Sequence, residues 1–186
     1  MAATITGTPV AVVWAAGANP AAQNVTVPSD ATAAYGFWAF DGVDANGHGI
    51  ASPTLGGNAP TVSHELPTAA GYYPATGVDA WANPPTGTQS LGVAWDIAPV
   101  EGPVYIIVFT KGGDTTNLWR DVKSAHATGS TAVSVTLTTV SGDLCIKFDQ
   151  RYDPAENPPI TAGTGWTSQQ TTGNVDEGAR LATISA

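Results

Sequence analysis

Three kinds of side chain in this 186-residue chain could carry chemistry: oxygen ligands in a loop, histidines and a lone thiol. The run Asp41-Gly-Val-Asp-Ala-Asn-Gly47 gathers carboxylate and amide oxygens in a glycine-rich stretch, the hard donors that calcium takes. An EF-hand loop closes with a bidentate Glu at its twelfth position. Counting from Asp41 reaches Ser52, and counting from Asp44 reaches Leu55, so that pattern fails. The run reads as a polar turn, with an irregular calcium site as the sharper alternative. His48, His64 and His126 lie far apart and form no close-spaced ligand pair of the kind a zinc site uses. Cys145 alternates with Leu144, Ile146 and Phe148, which places it in a strand as a packed, inert thiol. A single cysteine also excludes an internal disulfide framework.

Carboxylates are present without a pairing that the sequence reveals. Glu65 beside His64, and Asp143, Asp149 and Asp153, nominate no acid/base couple at strand spacing. A sandwich glycosidase needs two carboxyl groups about 5–9.5 Å apart across a sugar. Neither Gly-x-Ser-x-Gly nor a phosphate loop occurs. The expectation is a protein that is not an enzyme, with no cofactor and no metal.

The elements around these residues read as strands. The run from Gly77 to Asp96 predicts a hairpin turning at Asn83-Pro-Pro-Thr-Gly87. Pro85 supplies the fixed φ of a type I turn, Pro84 precedes it, and Gly87 supplies a left-handed residue. Beyond the turn, Gln89, Leu91, Val93 and Trp95 share one face, the period of a strand with one buried side. Residues 104–110 are apolar on both faces and predict a central strand. Further strands are expected at 9–16, 24–28, 34–40, 50–55, 61–66, 131–140, 144–148 and 179–185. Residues 117–126 fit one or two helical turns or an irregular stretch. About eight to ten short strands, with turn signals every ~8–12 residues, argue for an all-β, antiparallel, jelly-roll-like β-sandwich. Residues 1–30 read as an N-terminal strand or arm and residues 31–186 as the sandwich domain.

Charge narrows the partners. Asp, Glu, Lys and Arg together make 11% of the chain, against a usual ~25%, and the net charge is −9. No basic patch exists to displace counterions from a nucleic acid. Anionic membranes repel such a chain, and no stretch approaches the ~20 apolar residues of a spanning helix. The first charged side chain is Asp30, so the positive start of a signal peptide is missing. Six tryptophans are many for this length. Trp38, Trp81 and Trp95 fall in strand-like runs and are expected in the core. Trp119 and Trp166 fall in loop-like stretches and are the candidates for stacking on a sugar ring, though a fold onto the sandwich is the plainer reading.

Two stretches carry a resemblance. One is Trp81-Ala-Asn-Pro-Pro-Thr-Gly-Thr-Gln89, continuing to Trp95; the other is Gly112-Gly-Asp-Thr-Thr-Asn-Leu-Trp-Arg-Asp121, followed by Ser134-Val-Thr-Leu137 and Ser141-Gly-Asp-Leu144. With Thr54-Leu-Gly-Gly57 they resemble concanavalin-like or jelly-roll β-sandwich proteins of tailed, often marine, bacteriophages and environmental bacteria, over roughly residues 50–148. The resemblance implies a virion structural protein on the capsid surface: a capsid decoration (cement) protein, homotrimeric, bound to the major capsid protein or other virion subunits. On that reading Ile5, Val10, Val12 and Trp14 of the N-terminal segment contact partners. The alternative is a carbohydrate-binding module of a phage fibre or cell surface, using Trp119 and Trp166.

Overall fold

The computed structural model describes residues 2–14, 21–40, 50–66, 75–95, 104–123, 125, 134–152, 164, 166–173 and 177–185. Its strands are β1 (Thr4–Val13), β2 (Gln23–Val27), β3 (Ala33–Phe40), β4 (Ile50–Leu55), β5 (Val62–Leu66), β6 (Ala75–Ala82), β7 (Gly87–Trp95), β8 (Val104–Lys111), β9 (Leu144–Tyr152), β10 (Thr167–Gly173) and β11 (Glu177–Ser185). Among the described residues no helix forms. The strands make a five-stranded sheet in the order β1-β8-β3-β6-β5 and two three-stranded sheets, β2-β7-β4 and β10-β11-β9. All the pairings are antiparallel.

The order 1-8-3-6 facing 2-7-4 is that of a jelly roll, in which successive strands alternate between two packed sheets. β5 departs from it. The strand that would lie beside β4 pairs instead with β6 in the large sheet. The N-terminal segment expected as a strand or arm forms strands of both sheets, since β1 pairs with β8 and β2 with β7.

Between the large sheet and β2-β7-β4 lies the main core. Val12, Trp14, Ala34, Trp38, Trp81, Tyr105, Ile107 and Phe109 meet Val25, Val27, Leu55, Leu91, Val93 and Trp95. Three edge-to-face ring contacts run through its centre: Trp14 to Trp95 at 6.5 Å, Trp14 to Tyr105 at 5.9 Å and Trp38 to Trp95 at 6.3 Å. The opposite faces of β8 and β3 are also covered. Val104, Ile106 and Val108 pack with Phe37, Ile146 and Phe148, and the Phe37 and Phe148 rings stack at 5.8 Å. The five-stranded sheet is therefore a middle layer, with β9 of the third sheet on its outer side.

Two glycines permit the aromatic core. A Cβ at Gly36 would clash with the hydroxyl end of the Tyr105 ring, and a Cβ at Gly77 would clash with the Trp38 indole. Each large ring leans over a glycine of the neighbouring strand, directly opposite for Trp38 and diagonal for Tyr105, where no side chain stands in the way.

The structure corrects two expectations. The run 77–96 is not a hairpin, because β6 and β7 lie in different sheets. Their apolar faces meet across the core instead of pairing edge to edge. Residues 83–86 bridge the sheets as an arch: Asn83 (φ 48°) and Gly87 (φ 82°) take left-handed conformations at its ends, and Pro84 is buried. Pro84 and Pro85 have no N–H to give to a ladder. The second correction concerns 131–140, expected as a strand. Its described part, 134–140, joins no sheet, and Val135 and Val140 are exposed. Carboxylates take two of its backbone donors: Thr138 N–H donates to Asp121 Oδ2 at 2.9 Å, and Val140 N–H to Asp143 Oδ2 at 2.9 Å.

Replacing Gly36 by Ala should displace Tyr105 and destabilise the fold by about 1–3 kcal/mol, the usual cost of overpacking a filled core. Urea denaturation of Gly36→Ala beside the parent protein measures this. An unchanged midpoint would show that the ring does not occupy the glycine's space.

Candidate functional site

Among the described residues a carboxylate sunk in the core and a groove on the outer side of the large sheet both collect polar side chains. The first is Asp79 on β6, which is only 3% exposed. The strand period that turns Trp81 into the core turns Asp79 the same way. Ser63 Oγ on β5 donates to its Oδ1 at 2.6 Å, and the Tyr105 hydroxyl on β8 donates to its Oδ2 at 3.1 Å. Tyr105 reaches it by lying across Gly36, which is registered between Ile107 and Asp79. Burial pushes the Asp79 carboxyl up to about 6, with the nearby Glu65 charge adding to the rise and the Ser63 and Tyr105 hydrogen bonds opposing it. The Tyr105 hydroxyl is driven well above its ordinary range, first by burial and then by the Asp79 charge.

The second place is a groove of about 1730 Å³. Its floor is the outer face of the large sheet, with Tyr35, Phe37 and Val78, and its walls come from 112–123, 134–143 and β9. The wall from 112–123 is built by its own polar groups. Asp114 Oδ1 accepts from the Thr116 and Asn117 N–H groups at 2.8 and 3.2 Å, folding the chain back on itself. Leu118 is buried with Ala33 and Ala80, and its carbonyl accepts from the Tyr35 hydroxyl at 2.7 Å. Trp119 follows, half-buried against the same cluster.

An ion pair ties two of the walls together. Arg120 Nε lies 2.9 Å from Asp143 Oδ2 and joins 112–123 to the turn at 140–143. That turn is closed by Asp143 N–H donating to the Val140 carbonyl at 3.1 Å with Gly142 at φ 92°. The Arg120 hydrogen bond, aided by the Val140 N–H, holds the Asp143 carboxyl below its usual range; the Thr138 N–H does the same for Asp121. Lys123 pairs with Asp121 at 3.3 Å and Lys147 with Asp149 at 2.6 Å. Lys147 Nζ also stands 5.2 Å from the centre of the Trp166 ring.

Trp119 and Trp166 thus both line the one groove, as does His64. Trp38, Trp81 and Trp95 are core residues. Val12 and Trp14 are buried in the main core, where the Trp14 indole N–H donates to the Ala21 carbonyl at 3.1 Å; Ile5 and Val10 are half-buried against the two cores. Cys145 is half-buried on β9, and burial raises its thiol above the ordinary range. The run 41–47, His48, His126 and Asp153 lie outside the described residues. Among the described residues no cluster of His, Cys, Asp and Glu fits a metal ion, and no helix is long and apolar enough to cross a membrane. Sequence reasoning missed the Asp79 network, although a lone Asp between Val78 and Ala80 with Trp81 following was a usable signal. No family model, curated protein or solved structure matches this chain.

The buried acid sets a pH dependence. Asp79 keeps its proton to about pH 6 when folded, against 3.8 for a free side chain. Its contribution to stability is complete below the lower value and lost as pH rises through the upper one, a difference on the order of 3 kcal/mol. Asp30, Asp114, Asp121 and Asp143 are held low and act in the opposite sense. The readout is therefore the difference between the parent and Asp79→Asn, followed by urea denaturation from pH 4 to pH 7. The parent should lose stability relative to the variant across that window. Parallel curves would show that Asp79 is not a buried acid.

Proposed function

We propose that this chain is a structural subunit of a bacteriophage particle, a capsid decoration (cement) protein that cross-bridges shell subunits and acts as a homotrimer bound to the major capsid protein. The observation that carries this reading is the jelly-roll strand order 1-8-3-6 over 2-7-4, taken with the sequence resemblance over residues 50–148. Fold alone does not assign function, and this architecture serves viral shells and lectins alike. A cross-bridging role needs a rigid body with surfaces free for partners. The layering supplies the rigidity. The strands β2, β4 and β7 supply such a surface: their sequences contain no Asp, Glu, Lys or Arg. Asn24, Thr26, Thr88 and Ser90 are exposed on them, opposite in phase to the buried Val25, Val27, Leu91 and Val93. An uncharged face buries against a partner without the desolvation cost of a charge. Partner contacts through Val12 and Trp14 do not fit this geometry, since the core already holds both side chains.

One observation favours a second reading, a carbohydrate-binding module. The two tryptophans nominated from the sequence converge on the same groove.

Density-gradient fractionation of lysate from the source, with the protein quantified in every fraction, tests the first reading. The expected result is co-migration with intact particles at roughly hundreds of copies each, as repeated surface sites on a closed symmetric shell require. Protein confined to the soluble fractions would remove the virion reading and leave the sugar-binding one.

A further inference from the structure

Resting on the sugar-binding reading, we propose that the outer groove is a binding site for an uncharged oligosaccharide, with Trp119 and Trp166 as its stacking planes. Volume sets the size of ligand. At about 1730 Å³ the groove exceeds the ~300–1,000 Å³ of a small-molecule pocket, which suits a run of several sugar rings.

The lining sets its chemistry. Tyr35, Phe37 and Phe148 join the two indoles in presenting aromatic surface. A pyranose ring offers a face of C–H bonds, weakly positive, to the negative face of an aromatic ring, and it offers hydroxyls around its edge. Trp119 is anchored at its root by buried Leu118 and keeps part of its indole exposed. Trp166 is half-buried with the Lys147 ammonium near one side of its ring.

Charge selects the class of sugar. The whole chain carries −9, yet each Lys or Arg lining the groove is paired: Arg120 with Asp143, Lys123 with Asp121 and Lys147 with Asp149. A carboxylate beside a cation sets acceptors next to donors, the pattern that neighbouring sugar hydroxyls satisfy. Among the described residues lining the groove no cation is left unmatched to capture a uronic acid or sulfate, and the net charge repels one.

The test is calorimetric titration of the full chain with neutral hexasaccharides of glucose, mannose and xylose, beside hexagalacturonate. At least one neutral ligand should bind, with affinity changing less than ~2-fold between about 0.05 and 0.5 M NaCl, because no net ionic contact is made. Trp119→Ala and Trp166→Ala should each weaken it about 10-fold or more, and Thr88→Arg on the far face should leave it unchanged. Near-UV circular dichroism of the core tryptophans verifies that each variant is folded; since Trp119 also packs on Leu118, Trp166→Ala is the decisive variant if Trp119→Ala unfolds. Binding that survives both tryptophan replacements would overturn this site while keeping the sugar-binding reading. Tighter, salt-sensitive binding of hexagalacturonate would overturn the neutral assignment. No binding of any hexasaccharide at ~1 mM would overturn the site and the sugar-binding reading together.

Discussion

Burial of β8 on both faces is the constraint on which the rest of the structure depends. The seven residues from Val104 to Thr110 are all buried, and they alternate between two different cores. Tyr105, Ile107 and Phe109 face β2-β7-β4, while Val104, Ile106 and Val108 face β9. Each side chain of this size contributes about 1.5–3 kcal/mol when fully withdrawn from water, so leaving either face open would be costly. A strand of this kind belongs inside a sheet that is itself covered on both sides. The middle-layer position of the β1-β8-β3-β6-β5 sheet follows, and so does the role of the third sheet: β9 brings Ile146 and Phe148 to the face that the jelly roll leaves uncovered. Among the described residues that cover is partial, and the groove lies beside it. Where β9 does not reach, the outer face of the large sheet is walled by segments that side-chain carboxylates hold in place.

The main core meets a second demand, room for four large rings. Trp14, Trp38, Trp95 and Tyr105 meet at edge-to-face angles, and Gly36 and Gly77 vacate the space that Tyr105 and Trp38 cross. The same crossing carries the Tyr105 hydroxyl to Asp79. A polar atom at the tip of a ring that deep requires a partner, and a carboxylate at the same depth requires donors. Each satisfies part of the other's need. The arrangement is rigid, and it is a suitable scaffold for surfaces on both outer sides: the uncharged strands of β2-β7-β4 on one, the aromatic groove on the other.

Much of this was legible from residue patterns. Apolar positions at both phases of 104–110 placed β8 in the interior, and the alternation after Gly87 identified the inward face of β7. The antiparallel sandwich followed from short strands punctuated by Gly, Pro and Asn. Pairing was less legible, because period two marks which face of a strand is buried and is silent on what lies opposite. Residues 77–96 show this well. Two one-sided strands joined by a five-residue turn read as a hairpin, yet the buried faces sought each other across the core and Pro84-Pro85 became an arch. Residues 131–140 show the reverse case, an alternation whose described part is held by Asp121 and Asp143 rather than by a ladder. β10, with the sequence Thr-Ser-Gln-Gln-Thr-Thr-Gly, carries no apolar alternation at all; its strand is defined by backbone pairing with β11. In the groove, Trp119 and Trp166 were recognisable as residue types in loop-like surroundings. Their convergence depends on the third sheet, which no local pattern revealed.

The most direct test of the layered account is amide hydrogen exchange along the chain. If β8 is covered on both faces, the amides of 104–110 should exchange only through global unfolding, at the slowest rate in the protein, while those of 134–140 exchange orders of magnitude faster through local opening. Exchange of 104–110 as fast as that of the edge strand β5 would contradict the account, since it would mean that one face of β8 is open to water.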